Sequence, residues 1–152
     1  MMSILKGDLI QFAQTGRFDV IIHGCNCFCS MGAGIAKQIR DNFPEAYQAD
    51  LKTQMGDKEK LGTSSQASIK KDGNIFTIVN GYTQYDFSGN GTLVNYKAIQ
   101  KIFAGIKKDF ANQRIGYPKI GAGLAKGDWE VISKIINKEL QGEDHTLVQL
   151  KT

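Results

Sequence analysis

Two stretches of this chain repeat one local plan: an apolar strand-like run, a glycine-rich turn, and a helix-like pattern. The first goes from Val20-Ile21-Ile22 through Gly32-Ala33-Gly34 to Ile35, Ala36, Ile39 and Phe43, which have helical spacing. The second goes from Tyr117–Ile120 through Gly121-Ala122-Gly123 to a helix opened by Asp128, a residue suited to an N-cap. Glycine lets the backbone take positive φ and approach a ligand closely, and the start of the following helix adds partial positive charge. Two such turns at the carboxyl ends of strands form a crevice suited to a pyrophosphate. Neither turn is a Walker motif, which needs Gly-Lys-Ser/Thr, and neither completes the Gly-x-Gly-x-x-Gly of a dinucleotide fold. Read alone, each turn serves packing as readily as binding.

The rest of the chain keeps the alternation. Phe18–His23 is a strand run bounded by Gly16 and Gly24, and Pro44 ends or restarts the helix that follows it, with a second short helix over Glu45 to Thr53. Gly62 to Lys70 alternates weakly, and Asp72-Gly73 is a hairpin turn into Ile75–Val79. Tyr82 to Gly91 is polar and glycine-containing, hence a loop. Leu93 to Phe110 carries helical spacing through Ala98, Ile102, Phe103 and Ile106; Arg114 to Ile120 is strand-like. Trp129 to Leu140 turns Ile132, Ile135 and Ile136 inward, and Thr146 to Leu150 closes the chain as a strand. This order predicts an α/β fold: a three-layer α/β/α domain with a central mixed sheet. With 152 residues and no repeat or linker, one domain over 1–152 is expected, large enough to bury a core without staples.

Between the first strand and its glycine turn lies an alternation of His23, Cys25, Cys27 and Cys29. As a continued strand, residues two apart would sit about 6.6 Å from each other and the set would span about 20 Å. Zinc needs its ligands within about 2.0–2.3 Å of one point, so an extended segment cannot supply the site. A looped one lacks a second Cys or His pair, since the other histidine is His145. No metal and no cofactor is therefore expected, and Cys25 and Cys27 read as small packing residues. Three cysteines within five residues make no disulfide framework, which points to a reducing, cytoplasmic compartment. No apolar run approaches the roughly 20 residues of a membrane span, and the start MMSILKGDLIQFAQ has no signal-peptide pattern. The net charge of +4 would help attract a phosphorylated ligand but does not argue for nucleic acid. No heptad seam appears, and a monomer is expected.

Three blocks together resemble the macrodomain family: Lys6-Gly7-Asp8-Leu9; Ile22-His23-Gly24-Cys25-Asn26 with Met31-Gly32-Ala33-Gly34-Ile35-Ala36; and Pro118-Lys119-Ile120-Gly121-Ala122-Gly123-Leu124 with Trp129. The order and spacing of the blocks match over essentially the whole chain. The wording Ile-His-x-Cys-Asn-Cys is similar to that of the yeast-type ADP-ribose 1''-phosphate phosphatases, with the terminal ADP-ribose protein glutamate hydrolases as near relatives. The resemblance implies a partner, ADP-ribose or ADP-ribose 1''-phosphate. It implies Asp8 on the adenine amino group and a backbone contact at Leu9. Asn26 would face the distal ribose, and Gly32, Ala33, Gly34 and Ile35 would line the distal ribose and phosphate. Gly121, Ala122, Gly123 and Leu124 would wrap the pyrophosphate. An aromatic or amide side chain from residues 81–87 would close over the ligand.

The resemblance also separates the possible chemistries. The glutamate hydrolases use a lysine after the central strand and an acid after the second loop; the matching positions here are Gly81 and Ala125, and Lys126 has the wrong charge to replace the acid. Phosphatase chemistry needs positioning, charge stabilisation and a proton for the leaving oxygen. His23 is the histidine nearest the expected pocket and is the candidate general acid or base, with Asn26 orienting the ribose or a water. Asp128 is a second conceivable base whose capping role explains it equally well. The expected activity is phosphate removal from ADP-ribose 1''-phosphate. The alternatives are hydrolysis of ADP-ribosylated protein or nucleic acid, and capture of ADP-ribose without turnover.

Overall fold

The computed structural model describes residues 1–89 and 91–151. Residue 90 of the expected 82–91 loop and residue 152 of the expected domain lie outside them. Six strands form one sheet: β1 (Ser3–Lys6), β2 (Val20–Cys25), β3 (Ser64–Lys71), β4 (Asn74–Tyr82), β5 (Arg114–Tyr117) and β6 (Asp144–Gln149). Their order is β1-β6-β5-β2-β4-β3, parallel throughout except where β3 pairs antiparallel with β4. The sheet is therefore mixed, as the alternation predicts. The hairpin falls where Asp72-Gly73 puts it, with Lys71 opposite Asn74.

Helices cover both faces. On one side α1 (Leu9–Gln14), α2 (Gly34–Asn42) and α3 (Pro44–Leu51) pack with Ile21, Ile69, Phe76 and Ile78. On the other α4 (Tyr96–Asp109) and α5 (Trp129–Glu139) pack with Val20, Ile22, Val79 and Ile115. Neighbouring residues of β2 thus feed opposite cores, which is why its sequence is a continuous apolar run rather than an alternation. Removing either side chain to alanine would cost about 2–5 kcal/mol. A single 3-10 turn at Lys58–Lys60 joins α3 to β3.

Several boundaries differ from the periodicity reading. β2 does not stop before Gly24: Gly24 and Cys25 pair with Gly81 and Tyr82, so the strand carries two more residues toward the loop. β5 is shorter than the run Arg114–Ile120, because Pro118 has no N–H for the ladder. β1 and α1 were not legible by spacing. Four and six residues are too few to show a period, and the helix forms because Asp8 caps it, its Oδ1 accepting from Ile10 N at 2.9 Å.

Candidate functional site

The carboxyl ends of β2, β4 and β5 open on one crevice of about 490 Å³. The loop before α2 forms one wall, the loop after β5 the other, and Gly24, Cys25 and Asn26 with Thr83 and Gln84 lie between them. Parallel strands leave ligand space at this end, where neighbouring connections run to opposite faces of the sheet.

Among the described residues two helices, α2 and α3, start without a side-chain cap bond, and of these α2 is the one whose start borders the crevice. Asp8, Asn95 and Asp128 cap α1, α4 and α5 with side-chain oxygens, whereas Ala33 at the N-cap of α2 makes no side-chain cap bond. The first-turn N–H groups of α2 are thus free of an internal cap and border the crevice through Ala33, Gly34, Ile35 and Ala36. Such an end favours an anion. Gly34 starts the helix at φ +59°, a region costly for other residues, and Leu124 of the opposite wall comes within 3.6 Å of where a Cβ would be.

The β5 wall is a chain of turns. Ala122 N donates to Lys119 O at 3.2 Å, Lys126 N to Gly123 O at 3.0 Å, and Gly127 N to Gly121 O at 2.6 Å. Ala125 O accepts from Leu93 N at 2.8 Å, which ties this wall to the residues ahead of α4. Lys119 is the only charged side chain bordering the crevice among the described residues; no Asp, Glu or His does.

Of the residues expected at the site, Asn26, Gly32, Ala33, Gly34, Ile35, Gly121, Gly123 and Leu124 line the crevice together. Asp8, Leu9 and Ala122 do not. Asp8 spends Oδ1 on the start of α1, Leu9 is buried in the core, and Ala122 packs on the α4–α5 side. Asn26 closes its own loop: Oδ1 accepts from Phe28 N at 2.9 Å and Nδ2 donates to Ser30 O at 2.8 Å. Each group keeps one more hydrogen-bonding site for a ligand.

His23 corrects the sequence reading. It shares the Ile21 face of β2, is fully buried, and is absent from the crevice lining. Its Nε2 meets Asn80 Oδ1 at 2.6 Å, and Asn80 Nδ2 in turn donates to Ala46 O at 2.9 Å and Ser65 Oγ at 3.1 Å. Burial pulls its pKa down to about 4, partly offset by the bond to Asn80. The imidazole is a neutral group held behind the site, with no exposed edge from which to exchange a proton with a ligand.

The cysteines belong to the same backing. Cys25 and Cys27 pack with Tyr82, and burial raises both thiols above their ordinary pKa, which keeps them protonated and inert. Lys60 Nζ reaches Cys27 O at 3.1 Å and lies 4.5 Å from the Tyr82 ring centroid, so a buried cation holds the loop that carries Asn26. Asp50, which Tyr82 Oη–H reaches at 2.8 Å, sits with it. Among the described residues no group of three or more His, Cys, Asp or Glu could hold a metal ion.

Within the 81–87 segment, Thr83, Gln84 and Phe87 border the crevice, positions that spacing gave no way to choose. Tyr82 is turned into the backing and Tyr85 donates to Gly56 O at 2.8 Å, which leaves Phe87 as the aromatic at the mouth, edge-on to Phe28 at 6.0 Å. Gly81 does not line the crevice, and a Cβ there would meet Ile102 Cγ2 at 3.2 Å. None of Thr83, Gln84 or Phe87 supplies a lysine in its place.

No family model matches the chain. A phage T4 protein described as an uncharacterized 17.5 kDa protein of the tk-vs intergenic region is 33% identical over 142 residues, covering 90% of this chain and 88% of that one. An ADP-ribose 1''-phosphate phosphatase of Scheffersomyces stipitis is 30% identical over 165 residues, covering 91% of this chain and 94% of the yeast protein. Among solved structures, the macrodomain of Mycobacterium tuberculosis DarG superposes with a TM-score of 0.74 over 98% of this chain and 99% of that one, at 18% identity.

Proposed function

The chain belongs to the macrodomain family, and from that premise we propose that its crevice binds ADP-ribose and removes the phosphate from ADP-ribose 1''-phosphate. The observation that carries this reading is the uncapped start of α2, which borders the crevice opposite a second glycine-rich loop. Two backbone walls with free N–H groups suit the phosphates of such a ligand, and the net charge of +4 favours its approach. The name of the yeast relative supports the phosphatase step.

In this reading Asn26 holds the distal ribose, residues 32–35 the distal phosphate, and residues 121–124 the pyrophosphate. Asp8 takes the adenine with its second carboxylate oxygen. Phosphoryl transfer asks the protein for positioning and charge stabilisation more than for covalent chemistry. The leaving group here is an anomeric oxygen, whose neighbouring ring oxygen makes it a better leaving group than an ordinary alcohol. A site without a carboxylate or imidazole can therefore still assist it through amide donors alone.

That same lack of a carboxylate or imidazole among the described lining residues favours a second reading, capture of ADP-ribose without turnover. The deciding experiment measures inorganic phosphate released from ADP-ribose 1''-phosphate by the purified protein. Steady release supports the phosphatase. Binding of ADP-ribose with no release above the blank supports capture and overturns the enzyme.

A further inference from the structure

The crevice contains a buried polar atom that no described residue satisfies. Thr83 follows β4 directly, and its backbone is fully committed. Its N–H donates to Gly81 O at 2.9 Å and Cys25 O at 3.1 Å, and its carbonyl accepts from Asn95 N at 2.7 Å. The residue is 1% exposed and borders the crevice, yet its Oγ1 has no hydrogen-bond partner among the described residues. Among the described residues it is the only one lining the crevice with such an atom.

An unpaired buried hydroxyl costs its full desolvation, and native proteins rarely leave one without a use. Shape alone would not select threonine, because valine fills the same volume without the penalty. The position is also kept clear for it. A Cβ on Gly24, the neighbouring crevice residue of β2, would come within 2.7 Å of Thr83 Oγ1. The bond to Cys25 O places Thr83 beside Asn26, the residue assigned above to the distal ribose.

We propose that Thr83 is a ligand-positioning residue whose hydroxyl completes its hydrogen bonding on an oxygen at the distal end of ADP-ribose, directly or through one bound water. This rests on the ADP-ribose reading of the crevice. A buried donor at that end, beside Asn26, makes the site sensitive to whether a second ribose is present, and so separates ADP-ribose from ADP.

The test titrates ADP-ribose and ADP calorimetrically into the whole protein, as wild type, Thr83→Val and Thr83→Ser, alongside thermal unfolding without ligand. The valine variant should bind ADP-ribose about ten-fold more weakly and ADP unchanged, while its Tm stays level or rises. Serine should restore ADP-ribose binding, which a purely structural role would not require. Should the valine variant fail to fold, Thr83→Ala gives the same comparison. Wild-type affinity in the folded valine or alanine variant overturns the proposal, as does an equal loss for ADP and ADP-ribose or a serine variant that stays weak. A folded wild type that does not bind ADP-ribose overturns the ADP-ribose reading itself, and this inference with it.

Discussion

His23 Nε2 and Asn80 Oδ1 lie 2.6 Å apart in the buried layer behind the crevice. Asn80 uses its amide hydrogens on Ala46 O and Ser65 Oγ, so its oxygen must accept and the imidazole must donate from Nε2. The bond fixes a neutral tautomer inside the fold.

A pH dependence of stability follows from that state. The folded pKa is about 4 against the ordinary histidine value of 6.5, so unfolding lets the ring take a proton. The stabilisation is complete above about pH 6.5 and is lost as pH falls toward 4, a difference of about 3 kcal/mol. Urea unfolding of wild type and His23→Gln across this range should show a steeper acid decline in wild type. His23→Gln should also retain ADP-ribose binding near wild type. Parallel acid declines would contradict the assignment, and so would abolished binding in the folded variant.

Ala33→Asp should move stability and binding in opposite directions. Ala33 already has the extended backbone of an N-cap, at φ −145° and ψ 158°, so an aspartate there would cap α2 and stabilise the protein by about 1 kcal/mol. The same carboxylate would take the N–H groups offered to the ligand and repel its phosphates. ADP-ribose affinity should fall by more than about ten-fold if about 1.4 kcal/mol or more is lost. Calorimetry and urea unfolding on the same samples check both signs.

Asn26→Ala removes two bonds that close the loop over residues 26–30. The expected cost is about 1–3 kcal/mol of stability, together with a loss of affinity from the displaced wall. Asn26→Asp keeps the acceptor for Phe28 N but loses the donor to Ser30 O and adds a negative charge. It should therefore cost less stability than alanine at pH 7 while binding ADP-ribose no better. An aspartate variant that binds as wild type would show that Asn26 does not face the ligand.

Much of this architecture is written in local pattern. The apolar runs of β2 and β5, the Asp72-Gly73 hairpin and the Asp128 cap each depend on neighbours in sequence, so they were legible. The glycine walls were legible for the same reason. The facing of β2 was not. Alternation says that His23 and Gly24 point to opposite sides of the sheet but not which side opens on the crevice, and packing of α2 and α3 decides it. His23 therefore looked chemical and is buried. Thr83 looked like an ordinary loop residue and borders the crevice, because its place depends on the pairing of β4 with β2. The alternating cysteines likewise gain their meaning from Lys60 and Tyr82, both more than thirty residues away in sequence.

The central claim is that ADP-ribose lies between the two glycine walls, with phosphates on the start of α2. Titrating ADP-ribose into 15N-labelled protein and following backbone amide shifts tests it directly. The largest changes should fall on Gly34, Ile35 and Ala36, on Gly121, Gly123 and Leu124, and on Thr83. Changes concentrated instead along the α3–β3 groove around Gln48 and Gln66, with these amides unmoved, would contradict it.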